Sequence, residues 1–321
     1  MSPSASSRAY RVFSWFTLAF SLLVVLWGAY VRATGSGAGC GDHWPVCNGE
    51  VVPRAPSVQT LIEYTHRLTS GLVMVFAVVL CVWGLKAHAK GHPVRTGAVL
   101  SLVFMVTEAA LGAGLVLFKM VADNESIARA WWMGAHLINT FLLVGAMTLT
   151  CWWAGGGERL TWRRQGLTGW LVVGSVVGLL TLGVSGAIAA LGDTLYPATS
   201  LAEGLRQDVS PTAHILLRLR ILHPVLAVLV GALVVFSAGM VARQRPSPAV
   251  RRSAMQLGML YALQLVAGMV NVALLAPVWM QLVHLLLADA VWIVLVRLSA
   301  ASLALGAPRT DVKLKSELSL S

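Results

Sequence analysis

Leu167-Thr-Gly-Trp-Leu-Val-Val-Gly-Ser-Val-Val-Gly-Leu-Leu-Thr-Leu-Gly-Val-Ser-Gly-Ala-Ile-Ala-Ala-Leu191 runs for 25 residues without a charge. As a helix rising about 1.5 Å per residue, it exceeds the roughly 30 Å hydrocarbon core of a bilayer. Seven similar apolar runs lie around it, at about 12–31, 62–85, 97–118, 130–153, 214–241, 254–276 and 279–298. At roughly 20 residues per span, eight spans take half of the 321 residues and leave room only for loops. The chain is 57% hydrophobic and 12% charged, against about 25% charged in an average soluble domain. A water-soluble fold is excluded, and the reading is an all-α integral membrane protein. The first run ends at Arg32 without a small-residue cleavage pattern, so it is expected to stay as a span.

The net charge of +11 is not read as a nucleic-acid surface, because in so apolar a chain the positives belong to cytoplasmic loops. Arg8, Arg11, Lys86, Lys90, Arg95, Arg159, Arg163, Arg164, Arg243, Arg245, Arg251, Arg252, Arg297, Arg309, Lys313 and Lys315 fall on one side, 16 of the 24 Lys and Arg. The other side, with its helix ends, holds Arg32, Arg54, Arg67, Lys119, Arg129, Arg206, Arg218 and Arg220. This asymmetry puts both termini in the cytoplasm. Asp42, Glu50, Asp123, Glu125, Asp193, Glu203 and Asp208 then face outside. Met1–Tyr10 and the tail after Leu305 are polar and expected to be mobile.

The chain also reads as a duplication, with halves at 1–160 and 161–321. Glu108-x3-Gly112 in the third run resembles Gln264-x3-Gly268 in the seventh, and Gly41-Asp42-His43-Trp44-Pro45 has an echo in Gly192-Asp193-Thr194-Leu195-Tyr196-Pro197. Four spans per half keep both halves in one orientation. The expectation is two parallel-repeat four-helix bundles, each with an interior able to hold a cofactor.

The eight histidines sort onto this map. His88 and His92 read as part of a solvated basic loop, and His43 lies in the first outer loop. His66, His136, His214, His223 and His284 lie within about three turns of the outer ends of the even-numbered spans. Ionisable groups in spans are costly and face an interior, a partner or a cavity. A single histidine there would read as a hydrogen bond to a neighbouring helix, but one on each even span, at similar depth, repeats with the duplication. Two imidazoles facing across an apolar bundle suit haem iron. Zinc is left short of its usual four ligands. A transmembrane proton relay would have only Glu108 and Asp289 to extend it. His214 and His223, nine residues apart, cannot face one interior. The repeat favours His223 and leaves His214 at the interface. Pro224, lacking an N–H, deprives the carbonyl of Arg220 of its helical donor.

Between Arg32 and Cys47 the chain is glycine-rich, Arg-Ala-Thr-Gly-Ser-Gly-Ala-Gly-Cys-Gly-Asp-His-Trp-Pro-Val-Cys, a turning loop rather than a helix. Cys40 and Cys47 lie together on the oxidising side, which points to a disulfide. A metal site of Cys40, His43 and Cys47, or two free thiols, are the rival readings. Glu63 shares a helical face with His66 three residues on, where Arg220 precedes His223 in the second half. Arginine suits a haem propionate. A carboxylate suits proton transfer or cation stabilisation at a reacting centre, or else simply a helix N-terminus. The asymmetry suggests that one half reacts and the other stores or relays electrons.

Arg32-Ala-Thr-Gly-Ser-Gly-Ala-Gly-Cys-Gly-Asp-His-Trp-Pro with Glu63-Tyr-Thr-His66-Arg67-Leu-Thr-Ser-Gly resembles the N-terminal signature of haem A synthases. The resemblance extends to eight spans, duplicated halves, a histidine on each even span and the outer-loop cysteine pair of bacterial members. The sequence departs from the family where His223 is followed by Pro224 rather than arginine. The resemblance implies an oxidoreductase that converts a ring methyl of haem O to the formyl of haem A, through an alcohol and a hydrated aldehyde, for cytochrome oxidase. It implies that His66 and His136 frame haem O, assisted by Glu63, and that His223 and His284 ligate a haem b near Arg220. It also implies a cell-membrane location among lipid, with haem O synthase and an electron-transfer protein as partners. Two other readings use the same histidines: a dihaem b-type electron-transfer protein, and a haem transporter or chaperone. All the histidines lying toward one face argue against the former, because a transmembrane electron path spreads its haems in depth.

Overall fold

A computed structural model describes residues 5–304 of the chain. Arg309, Lys313, Lys315 and the tail after Leu305 lie outside the described residues. Among the described residues ten α-helices run in order: α1 Ala5–Ala33, α2 Val58–Ala87, α3 Pro93–Leu117, α4 Ile127–Ala154, α5 Leu167–Leu195, α6 Leu201–Val209, α7 Ile215–Arg220, α8 Leu222–Gln244, α9 Pro248–Ala273 and α10 Val278–Ala304. Eight segments among these residues are long and apolar enough to cross a membrane, with α7 and α8 together forming the sixth. The protein is a multi-span helical membrane protein.

Several helices start earlier than the apolar runs because their first turns are polar and capped. Ser57, Ser126 and Ser247 each accept a hydrogen bond at 3.1–3.2 Å from the backbone N–H three residues on, and each such cap is worth about 1 kcal/mol. The expectation of a mobile Met1–Tyr10 fails from Ala5 onward, where α1 is already helical. Tyr10 is the reason: it is fully buried, donates to the Leu80 carbonyl at 3.1 Å and meets Trp83 edge-on. The sixth span breaks at Ile221, where Pro224 removes a helical donor. Helix α6, in the outer loop before it, was not foreseen.

α1 packs on α2 and α4, α2 on α3, and α3 on α4; α5, α8, α9 and α10 likewise close on one another. The two sets meet along α4, α5 and α10, with α1 touching α10. At this seam Trp292 stacks on Phe141 and donates its indole N–H to the Phe141 carbonyl at 2.7 Å. Arg32 also crosses it, donating to the Ala190 carbonyl at 2.8 Å, to Thr194 Oγ1 at 2.6 Å and to Gln281 Oε1 at 2.7 Å. The exposed Leu, Val and Phe of the outward helix faces are what lipid as solvent permits.

Candidate functional site

The outer loop is built around one carboxylate. Cys40 and Cys47 are joined, with Cα atoms 4.4 Å apart, and no cluster of three metal-ligating side chains occurs among the described residues. Cys81 and Cys151 are free and buried. The backbone N–H of Cys40 donates to Glu63 Oε2 at 2.8 Å, and Arg67 Nη2 meets Glu63 Oε1 at 2.5 Å. Arg67 Nη1 in turn donates to the carbonyls of His43 and Val46 at 2.6 and 2.7 Å. Glu63, 4% exposed, thus ties the disulfide loop to the helix that carries His66. Gly39 lies so close to α2 that a Cβ there would stand 2.4 Å from the Gln59 carbonyl oxygen.

Below this loop, the four histidines on even spans show one recurring arrangement. Each imidazole faces a glycine on the preceding odd span. A Cβ on Gly28 would lie 2.7 Å from His66 Nε2, and one on Gly186 would lie 2.9 Å from His223 Cε1. The corresponding distances are 3.1 Å from Gly268 to His284 Cε1 and 3.6 Å from Gly112 to His136 Nε2. These are cradles that an alanine would fill or crowd. The His223 and His284 rings stand 6.3 Å apart at 85°. His223 Nδ1 is 3.0 Å from Ser185 Oγ, while the buried His284 Nδ1 has no hydrogen-bond partner among the described residues. His66 lies within electrostatic reach of both His136 and Glu108.

The carboxylate that touches a histidine is Glu108, not Glu63. His136 Nδ1 stands 3.1 Å from Glu108 Oε1, at ion-pair distance though off the line of a straight hydrogen bond. Gln264 Nε2, its echo in the second half, stands 3.2 Å from His284 Nε2. In the sequence this Glu/Gln pair marks the duplication, with Glu108 also a candidate to extend a proton relay, and neither Gly28 nor Gly186 stands out. Their spacing of 158 residues, close to the 157 between His66 and His223, was the signal available.

Arg220 is brought beside His223 in sequence, but its guanidinium is held by Asp193 at 2.8 Å and Asp208 at 2.6 Å. His214 caps α7, with Nδ1 3.4 Å from the Leu216 backbone N, and lies tilted against Tyr196 with ring centres 5.5 Å apart. Asp289, 1% exposed, has no hydrogen-bond partner among the described residues.

A family model described as cytochrome oxidase assembly protein, COX15-CtaA, matches residues 11–296. A Thermus thermophilus protein named protoheme IX farnesyltransferase is 54% identical over 300 residues, which is 94% of this chain and 49% of that protein. A protein named heme A synthase from Exiguobacterium sibiricum is 36% identical over 133 residues, 41% of this chain and 43% of its own. Another of that name, from Bacillus cereus, is 43% identical over 111 residues, 34% and 36% respectively. The chain spans about half the length of the Thermus relative it matches.

Proposed function

The chain belongs to the cytochrome oxidase assembly protein family, and from that premise we propose that it is a haem A synthase, oxidising a ring methyl of haem O to the formyl group of haem A. The observation that carries the reading is the facing pair His223 and His284. An imidazole nitrogen binds a transition metal at roughly 2 Å, which puts the ring centre about 3 Å from the metal. The 6.3 Å between ring centres is close to twice that, the unpartnered His284 Nδ1 supplies a donor, and the glycines let each ring seat closely against the preceding span. These residues fit a haem b held by His223 and His284. Such a haem would supply one-electron redox chemistry.

In the first half, His66 and His136 hold the substrate, haem O, between α2 and α4. Glu63 keeps the disulfide loop seated over the outer mouth and acts on the protons released at the methyl. Arg220 belongs to the rim of the second half through Asp193 and Asp208, and steadies the approach to His223. The protein then lies in the cell membrane, both termini cytoplasmic, with the histidines and the disulfide at the outer side. The name of the Thermus relative bears on partners. A farnesyltransferase acting on protohaem makes a farnesylated haem of the kind consumed here, so a haem O synthase is the expected supplier, and an electron-transfer protein the expected acceptor.

Pigment extracted from cells that make haem O tests the proposal. Haem A is expected only when this protein is present; haem O alone, with haem b bound to the purified protein, would return it to electron transfer or haem carriage. The cradles give a graded prediction. Gly28→Ala should crowd His66 and lower conversion by roughly 10²-fold, the scale of an ångström misplacement at a reacting centre. Gly112→Ala, with ordinary contact at 3.6 Å, should convert normally. Equal losses in the two variants, read by haem A per mole of protein, would remove the cradle from the account.

A further inference from the structure

The two halves place the same pair of positions against the last histidine of each, but with different chemistry. Glu108 and Gln264 stand four residues before Gly112 and Gly268 on α3 and α9, and each approaches the histidine of the next span. In the first half the side-chain donors around the carboxylate suit a negative charge. Asn139 Nδ2 donates to Glu108 Oε2 at 2.6 Å and Thr140 Oγ1 to Oε1 at 2.5 Å. Asn139 is itself fixed by the Phe104 carbonyl at 2.9 Å and by the Thr107 hydroxyl at 2.6 Å. A carboxylate receiving these donors acts as an acceptor. At the equivalent places after His284 the second half has Leu287 and Ala288, and Gln264 Oε1 has no partner among the described residues. One half supports a fixed anion beside its imidazole; the other supports a neutral amide.

We propose that Glu108 is a positioning residue that sets the electronic character of His136, and that the Glu108/Gln264 difference is what gives the two haem sites different redox potentials. This rests on the haem reading above. A carboxylate at the far nitrogen of a ligating imidazole fixes the ring and makes it a more electron-rich ligand. It therefore favours the oxidised metal. The hydrogen-bonded surroundings of a ligand are among the levers a protein has on haem potential.

The experiment is an optical redox titration of the full-length protein, purified from cells making haem O, with haem content measured alongside. Glu108→Gln is expected to raise the potential of the first-half haem by at least tenfold in its ferric-to-ferrous ratio, about 59 mV for one electron. The second-half haem should stay where it was. Gln264→Glu, with Leu287→Asn and Ala288→Thr to supply the missing donors, should lower the second-half potential by a similar factor. A merely structural role would change haem content or thermal stability and leave both potentials in place, and that result overturns the inference. If Glu108→Gln does not accumulate, the second-half transplant decides alone: an unmoved potential there overturns it too. Failure of the underlying reading looks different, because His136→Ala would then leave the pigment and the product unchanged.

Discussion

His223→Ala or His284→Ala is expected to yield protein without stably bound haem b, whereas His66→Ala or His136→Ala keeps that haem and makes no haem A. Removing a group that only orients a metal ligand typically costs 10–100-fold in affinity, so removing the ligand itself should cost more than about 100-fold and empty the site on purification. The proposed division between halves rests on their surroundings. The first half carries two buried carboxylates, Glu63 tied to the disulfide loop and Glu108 against His136. The second has Ser185 and Gln264 beside the imidazoles, with Arg220 held at the rim by Asp193 and Asp208 and Asp289 buried further along α10. Charged groups near a reacting carbon can move protons; neutral walls suit a haem that only exchanges electrons. The measurement is haem extracted per mole of each variant, together with haem A produced in the same cells. Equal loss of the same pigment from all four variants would show that the halves do not divide the work.

The span count was legible because bilayer thickness imposes a length that few other constraints imitate. Leu167–Leu191 announces itself, and α5 begins at the residue where the run does. Helix starts were less legible, since a capped polar turn such as Ser57–Leu61 looks like loop until the hydrogen bond is seen. The break at Ile221 could be read from Pro224, while α6 is short, polar and exposed, and leaves no apolar signature. At the site, the histidines stood out because imidazoles are rare and costly in spans. Their glycine cradles did not, because Gly is common in membrane helices and only the rotation of one helix against the next tells which glycine faces a ring. The same rotation separates the two carboxylates. Glu63 is near His66 in sequence but points into the loop, while Glu108 is 28 residues from His136 and touches it. Arg220 was legible as a charge beside His223, but its partners come from 27 and 12 residues away, beyond any local pattern.

Glu63→Gln should leave haem b content near normal and slow conversion by about 10²–10⁴, the range for positioned acid–base groups, with the alcohol accumulating ahead of haem A. The structure sharpens what the substitution removes. The new amide oxygen can still accept from the Cys40 N–H, now at 2.8 Å, so the loop keeps its tie to α2. Its amide nitrogen, however, faces the Arg67 guanidinium donor to donor, and the ion pair at 2.5 Å is lost. Arg67 retains the His43 and Val46 carbonyls, which limits the structural damage. A purely structural Glu63 would therefore show as a lower melting temperature and less protein, with haem A per mole of surviving protein unchanged. A Glu63 that accepts protons or stabilises positive charge during methyl oxidation would show the reverse, a folded, haem-loaded protein that stalls. Arg67→Gln separates the two further: it breaks the same ion pair but leaves the carboxylate, so it should destabilise the loop while the folded fraction still makes haem A. Should Glu63→Gln produce haem A at the normal rate per folded molecule, the carboxylate belongs to the loop alone.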